Sequence, residues 1–154
     1  MVTTPTHGYV SDGSQSVMYS VLSNDSGVTD ITSNIYDGDP ARIASKYGYP
    51  FIIIKPPVHS QFPITQVHWN NTVNFNIVIR SKSESVLRQL YDAVIKSVVE
   101  GEQTFITNNM YNPEFLQPTP DDDIDGSVGN FKTVYGLNVG VIFDVFTAYY
   151  PTSV

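Results

Sequence analysis

The sequence predicts an α+β domain, a small and mostly antiparallel sheet packed on one face by an α-helix of about 18 residues and by a shorter N-terminal helix. Two patterns carry this reading. Between Ser83 and Glu100 the apolar residues Val86, Leu87, Leu90, Tyr91, Val94, Ile95, Val98 and Val99 recur as neighbouring pairs every four positions, a single stripe on the helical period. Two other segments alternate on the two-residue period of a strand with one buried face. In the first, Val73, Phe75, Ile77 and Ile79 alternate with Asn74, Asn76, Val78 and Arg80. In the second, Tyr135, Leu137, Val139, Val141, Phe143 and Val145 alternate with Asn138, Gly140, Ile142, Asp144 and Phe146.

Taken in order, residues 1–11 read as an N-terminal arm, followed by a helix with Val17, Met18, Val21 and Leu22 on one face, Asp12 or Ser14 as its cap and Gly27 in the turn beyond. Ile35-Tyr36 leads into the turn cluster Asp37-Gly38-Asp39-Pro40, and Ala41 to Tyr47 has room for about two helical turns. A strand from Phe51 to Lys55 is fenced by Pro50 and by Pro56-Pro57, and its all-apolar stretch Phe51 to Ile54 implies burial on both faces. Residues 56–66 form a long loop that reads as a hairpin arm, and the next strand starts as early as Gln66. For the main helix, roughly 27 Å long, Ser81 with Glu84 fits a capping box, Ser83 is a rival cap, and Gly101 suits a left-handed end. A strand is expected over Thr104 to Met110, then a long loop over 108–130 with Pro113, Pro118 and Pro120. In the last strand Gly136 and Gly140 mark a bulge or a close approach, and 148–154 form a tail.

Composition narrows the function classes. The chain has 154 residues, 41% hydrophobic and 15% charged, which suits a single domain over 1–154. No cysteine is present, so disulfide scaffolds, thiolate metal sites and thiol enzymes drop out. A net charge of −7 opposes dedicated nucleic-acid binding, which needs surplus Lys and Arg. The longest apolar run, Val139 to Phe146, is broken by Gly140 and Asp144 and is too short to span a membrane. Met1 to Tyr9 lacks the features of an export signal, so the chain is expected to fold where it is made, and the sequons at Asn24 and Asn70 are read as chance.

Catalytic constellations are thin. His7, His59 and His68 are spread over segments read as arm or loop, and only a hairpin would bring the last two together. No nucleophile elbow, zinc-protease pair, phosphate loop or dinucleotide fingerprint occurs, so neither an enzyme nor a cofactor is expected. Asp121, Asp123 and Asp125, with Gly126, match the first half of a calcium loop, but its twelfth position is Lys132 where a bidentate Glu belongs. A solvated acidic loop is the plainer reading; a calcium-dependent binding module is the alternative. Candidate partner contacts are Asp121, Asp122, Asp123 and Asp125 in that loop, His59 and Phe62 in the arm, and Tyr149 and Tyr150 in the aromatic stretch after the last strand.

The order of elements is itself informative. The amino-terminal helix, Ile35-Tyr36-Asp37-Gly38, the strand Pro50-Phe51-Ile52-Ile53-Ile54, the strand ending Ile77-Val78-Ile79-Arg80-Ser81, the Glu84 to Val99 helix and the strand Leu137-Asn138-Val139-Gly140-Val141 follow one another. This order resembles the tail completion, or tail terminator, proteins of long-tailed viruses, over roughly residues 15 to 147. The long 108–130 segment departs from their usual layout. The resemblance implies a subunit of the virion, at the head-proximal end of the tail and assembled in the host cytoplasm. It would form a homo-oligomeric ring, a hexamer, on the tail tube protein and meet the connector or adaptor of the head. DNA would pass through its bore without specific binding, and no membrane would be involved. Another connector or adaptor subunit is a further possibility of the same kind. Charge fits this expectation: four of the 15 acidic residues lie in 121–125, so the imbalance elsewhere falls from −7 to −3. Exposed sheet edges are expected to be available for pairing between subunits.

Overall fold

The computed structural model describes residues 10–38, 48–64, 68–120, 127–128, 131–132 and 134–148. Its spine is a pair of long antiparallel strands, β4 (His68–Ser81) and β9 (Tyr135–Ala148), of 14 residues each. They pair without interruption from His68 opposite Ala148 to Ser81 opposite Tyr135. Odd-numbered residues face odd-numbered residues in this register, so Val73, Phe75, Ile77 and Ile79 share one side with Val139, Val141, Phe143 and Val145, all buried. The alternation in the sequence is therefore the core face of the sheet, as expected.

The remaining strands line the two outer edges of this pair. β2 (Phe51–Ile54) and β3 (Val58–Pro63) follow one another antiparallel along β4. Ile54 lies opposite Ile77 and Val58 opposite Asn74, so four steps on one strand match three on the other. The extra residue is absorbed at Lys55-Pro56-Pro57, where the prolines offer no backbone donor for a ladder, and the inward side switches from even to odd residues. The segment read as a long loop over 56–66 is thus a hairpin arm, with six of its residues in a strand. β1 (Ile35–Asp37) adds to β2 in parallel. On the far edge of β9 lie β5 (Met110–Phe115) and β6 (Thr119–Pro120), while β7 (Ser127–Val128) and β8 (Phe131–Lys132) form a separate small pair.

Helices α1 (Val10–Ser23), α2 (Ser26–Thr29), α3 (Glu84–Glu100) and α4 (Glu102–Thr107) pack on the odd face. Met18 and Leu22 of α1 and Leu90, Val94 and Val98 of α3 are wholly buried there. α1 starts at Val10, upstream of the Asp12 or Ser14 expected as its cap. Gly13 and Ser14 lie inside the helix, because burial of its apolar face outweighs their poor helix propensity. At the start of α3 the rival cap prevails: Ser83 Oγ accepts from Val86 N, and Ser81 Oγ accepts from Ser83 N at 3.1 Å. Ser83→Ala is expected to cost about 1 kcal/mol of stability, measured as a lower urea midpoint.

Three expectations are corrected. Thr104 to Met110 is no strand, since residues 102–107 form α4 and β5 begins only at Met110. Phe105, Ile106 and the flanking threonines suit either state locally; the helix prevails because Phe105 N bonds Gly101 O and the Phe105 ring packs 4.7 Å from that of Phe143. Gly101 is not left-handed either: its φ is −79°, and it joins α3 to α4. The left-handed residue after α4 is Asn109, with φ 61°. The segment expected as a loop over 108–130 likewise contains β5 and β6, which satisfy the free edge of β9.

Candidate interaction surface

Among the described residues, helices cover only the odd face of the central pair, and the even face divides into two halves. Near β2 it is apolar and closed: Phe51, Ile53 and Val78 are buried, with Tyr36 and Tyr49 packed against them. Arg80, buried at the end of β4, places its guanidinium 6.0 Å from the centre of the Phe51 ring.

The other half is partly open and amide-rich. Thr72 faces Asp144, Asn74 faces Ile142, Asn76 faces Gly140 and Val78 faces Asn138. Asn112 Nδ2 donates to Asp144 Oδ2 at 3.2 Å from β5. The Oδ1 atoms of Asn70 and Asn76 are buried without a hydrogen-bond partner. Apolar groups interrupt this polar field. Val58, opposite Asn74, is 74% exposed, and Phe146, opposite Asn70, is 43% exposed with its ring 5.5 Å from that of Tyr111. Ile64, in the turn of the β3–β4 arm, is also exposed. Leu116 presses on Gly140, where an added Cβ would lie 2.8 Å from Leu116 Cδ1, and Leu116 N donates to Gly140 O. The close approach expected at Gly140 is therefore real, whereas the bulge lies in β5, between Tyr111 and Glu114, where Asn112 has φ 54°. Gly140→Leu is expected to lower stability by about 1–3 kcal/mol by prising β5 and β6 from β9, a loss measurable by thermal denaturation.

Of the predicted partner residues, His59 and the backbone position of Phe62 lie among the described residues. His59 lies opposite Val73, on the side of the sheet that carries the core, while His68 lies opposite Ala148. The hairpin does form, but its register sets the two histidine positions five residues apart along β4 and on opposite sides of the sheet. Phe62 is in β3, opposite Asn70, and its side chain is outside the described residues. Asp121, Asp122, Asp123, Asp125, Tyr149 and Tyr150 also lie outside the described residues. The aromatic stretch begins inside β9, not after it, since the strand runs through Ala148. Among the described residues, no group of three or more His, Cys, Asp or Glu side chains gathers where it could hold a metal ion. No described helix is long and apolar enough to cross a membrane.

Sequence reasoning missed Val58, Ile64 and Leu116, all exposed and all in segments read as loops. It also expected sheet edges open to pairing. At the β5–β6 edge the β5 bulge and Pro113, Pro118 and Pro120 disfavour addition of a further strand, whereas β1 and β3 form the other edge.

No family model matches the chain, and no curated protein matches it. Among solved structures, one chain in the "Virion of native gene transfer agent (GTA) particle" superposes with a TM-score of 0.67 at 12% sequence identity, covering 90% of this chain and 98% of that one. The two chains share a fold. At this identity the likeness lies in architecture and not in side chains, and it extends over nearly the whole of the virion chain.

Proposed function

We propose that this chain is a structural virion subunit that closes the end of a tail tube as a six-fold ring, stops tube growth and joins the tail to the head connector. The observation that carries the reading is the fold shared with a chain of a gene transfer agent virion across 98% of that chain. The order of helices and strands supports the finer assignment to the tail end, since it resembles that of tail completion proteins. So does the half-open sheet face, whose exposed Val58 and Phe146 lie among amides that a neighbouring subunit or tube can engage. The proposed role is non-enzymatic, in line with the sequence reading.

DNA sliding through the bore fits the disposition of the cations. Arg80 is buried over Phe51, and Lys82 rests with its Nζ 5.4 Å from the Tyr49 ring centre. Negative-stain imaging and mass photometry of the purified chain, alone and with purified tail tubes, test the reading. Six-fold rings, or caps on tube ends that halt further polymerisation, are the expected result. A chain that stays monomeric in both settings overturns it.

A further inference from the structure

A cavity of about 240 Å³ lies where the C-terminal ends of α1 and α3 meet α2 and α4, lined by Ser20, Asn24, Asp25, Ser97, Glu100 and Thr104 among others. Two observations give it one chemical preference. The C-terminal ends of α1 and α3 face the N-terminal ends of α2 and α4 across it, so the helix dipoles oppose one another and the side chains set its charge. Two carboxylates, Asp25 and Glu100, add full charge. Asp25 uses Oδ1 to cap α2 through Gly27 N, and Glu100 has only a loose, exposed ion pair with Lys96 at 3.8 Å. Independently of these charges, Ser97 is 1% exposed and its Oγ has no hydrogen-bond partner among the described residues, so this wall holds a buried hydroxyl with an unmet hydrogen bond.

We propose that this cavity is the socket for a basic side chain of a neighbouring copy in the ring, Lys82. The inference rests on the ring reading above. Lys82 stands just before the N-cap of α3 and the socket lies at the opposite end of the same helix, roughly 26 Å away along 17 residues. Lys82 is exposed and, among the described residues, has no carboxylate partner of its own chain. Each subunit thus has a cationic end and an anionic end along one axis. Such an arrangement joins head to tail, and a head-to-tail contact is the kind that closes into rings. The ammonium group brings three donors, enough for both carboxylates and a hydroxyl.

The test compares assembly of the full-length wild type, Lys82→Glu, Glu100→Lys and the double reversal by mass photometry over a concentration series, with melting temperatures as a control for folding. Each single reversal is expected to weaken ring formation by about tenfold or more, and the double variant to recover most of it. Ser97→Ala is expected to weaken assembly without lowering the melting temperature of the subunit. Single variants that assemble like wild type, or a double variant no better than the singles, overturn the socket and leave the ring standing. A wild type that forms no ring, alone or on tubes, overturns the ring reading and the socket with it.

Discussion

Phe143→Ala is expected to lower the stability of the protein by about 3–5 kcal/mol, the cost of removing a buried aromatic side chain and leaving a cavity. Phe143 is fully buried on β9, and its ring meets two others: Phe75 on β4 at 6.0 Å, edge-on, and Phe105 on α4 at 4.7 Å. One truncation therefore loosens contacts from both central strands and from the short helix between α3 and β5. Neighbours cannot easily fill the gap, because Phe75 and Phe105 are themselves fixed in the core. The measurement is thermal or urea denaturation of the purified chain. At about 2–4 °C per kcal/mol for a chain of this size, the melting temperature drops by roughly 10 °C. A loss under about 1 kcal/mol would mean that these three rings are not the keystone of the helix-to-sheet packing.

The second large effect falls on a residue with an ordinary backbone conformation. Gly101→Ala at a negative φ would normally stabilise a protein by about 0.4–1 kcal/mol, by narrowing the unfolded ensemble. Here the sign reverses. The added methyl would sit 2.8 Å from Val21 Cγ1, 3.0 Å from the backbone oxygen of Ser97 and 3.2 Å from Phe105 Cε2. Ser97 O cannot turn away, since it accepts the hydrogen bond from Gly101 N that ends α3. We expect a net loss of about 1–3 kcal/mol, with α1 displaced from the junction of α3 and α4. Denaturation curves for Gly101→Ala alongside Gly13→Ala, where an added Cβ meets nothing within 4 Å, separate the two cases. Gly13→Ala is expected to be neutral or stabilising.

How much of this was legible in the sequence follows from the range of the forces involved. The two strands and the long helix were readable because each repeats one simple period over many residues, and the buried set of Val73 to Ile79 and Val139 to Val145 follows from it. Failures came where a distant contact decided the local state. Residues 102–107 became helical through Gly101 and Phe143, and Gly101 is required by the approach of α1, some 80 residues earlier in the chain. No local pattern in EQTFIT carries either fact. The paired carboxylates of the socket were invisible for the same reason. Asp25 and Glu100 are 75 residues apart and meet only because two helices end at the same place. Proline spacing was half read: it fenced β2 and left 56–66 as a hairpin arm, while the idea that prolines mean loop hid β5 and β6.

The unbroken pairing of β4 with β9 also sets a timetable. Its partners are 54 to 80 residues apart, as the pairs Ser81–Tyr135 and His68–Ala148 show, so its register is entropically slow to find. β9 is the last of the strands in chain order, and β5 and β6 have nothing to pair with until it arrives. During synthesis the other elements wait with one flank of β4 unclosed, a state prone to mispairing. The sheet face stays unfinished and Phe143 cannot meet Phe105 before that strand docks. Docking of β9 is thus the step that completes the sheet, because it closes β4 and gives β5 and β6 their partner at once.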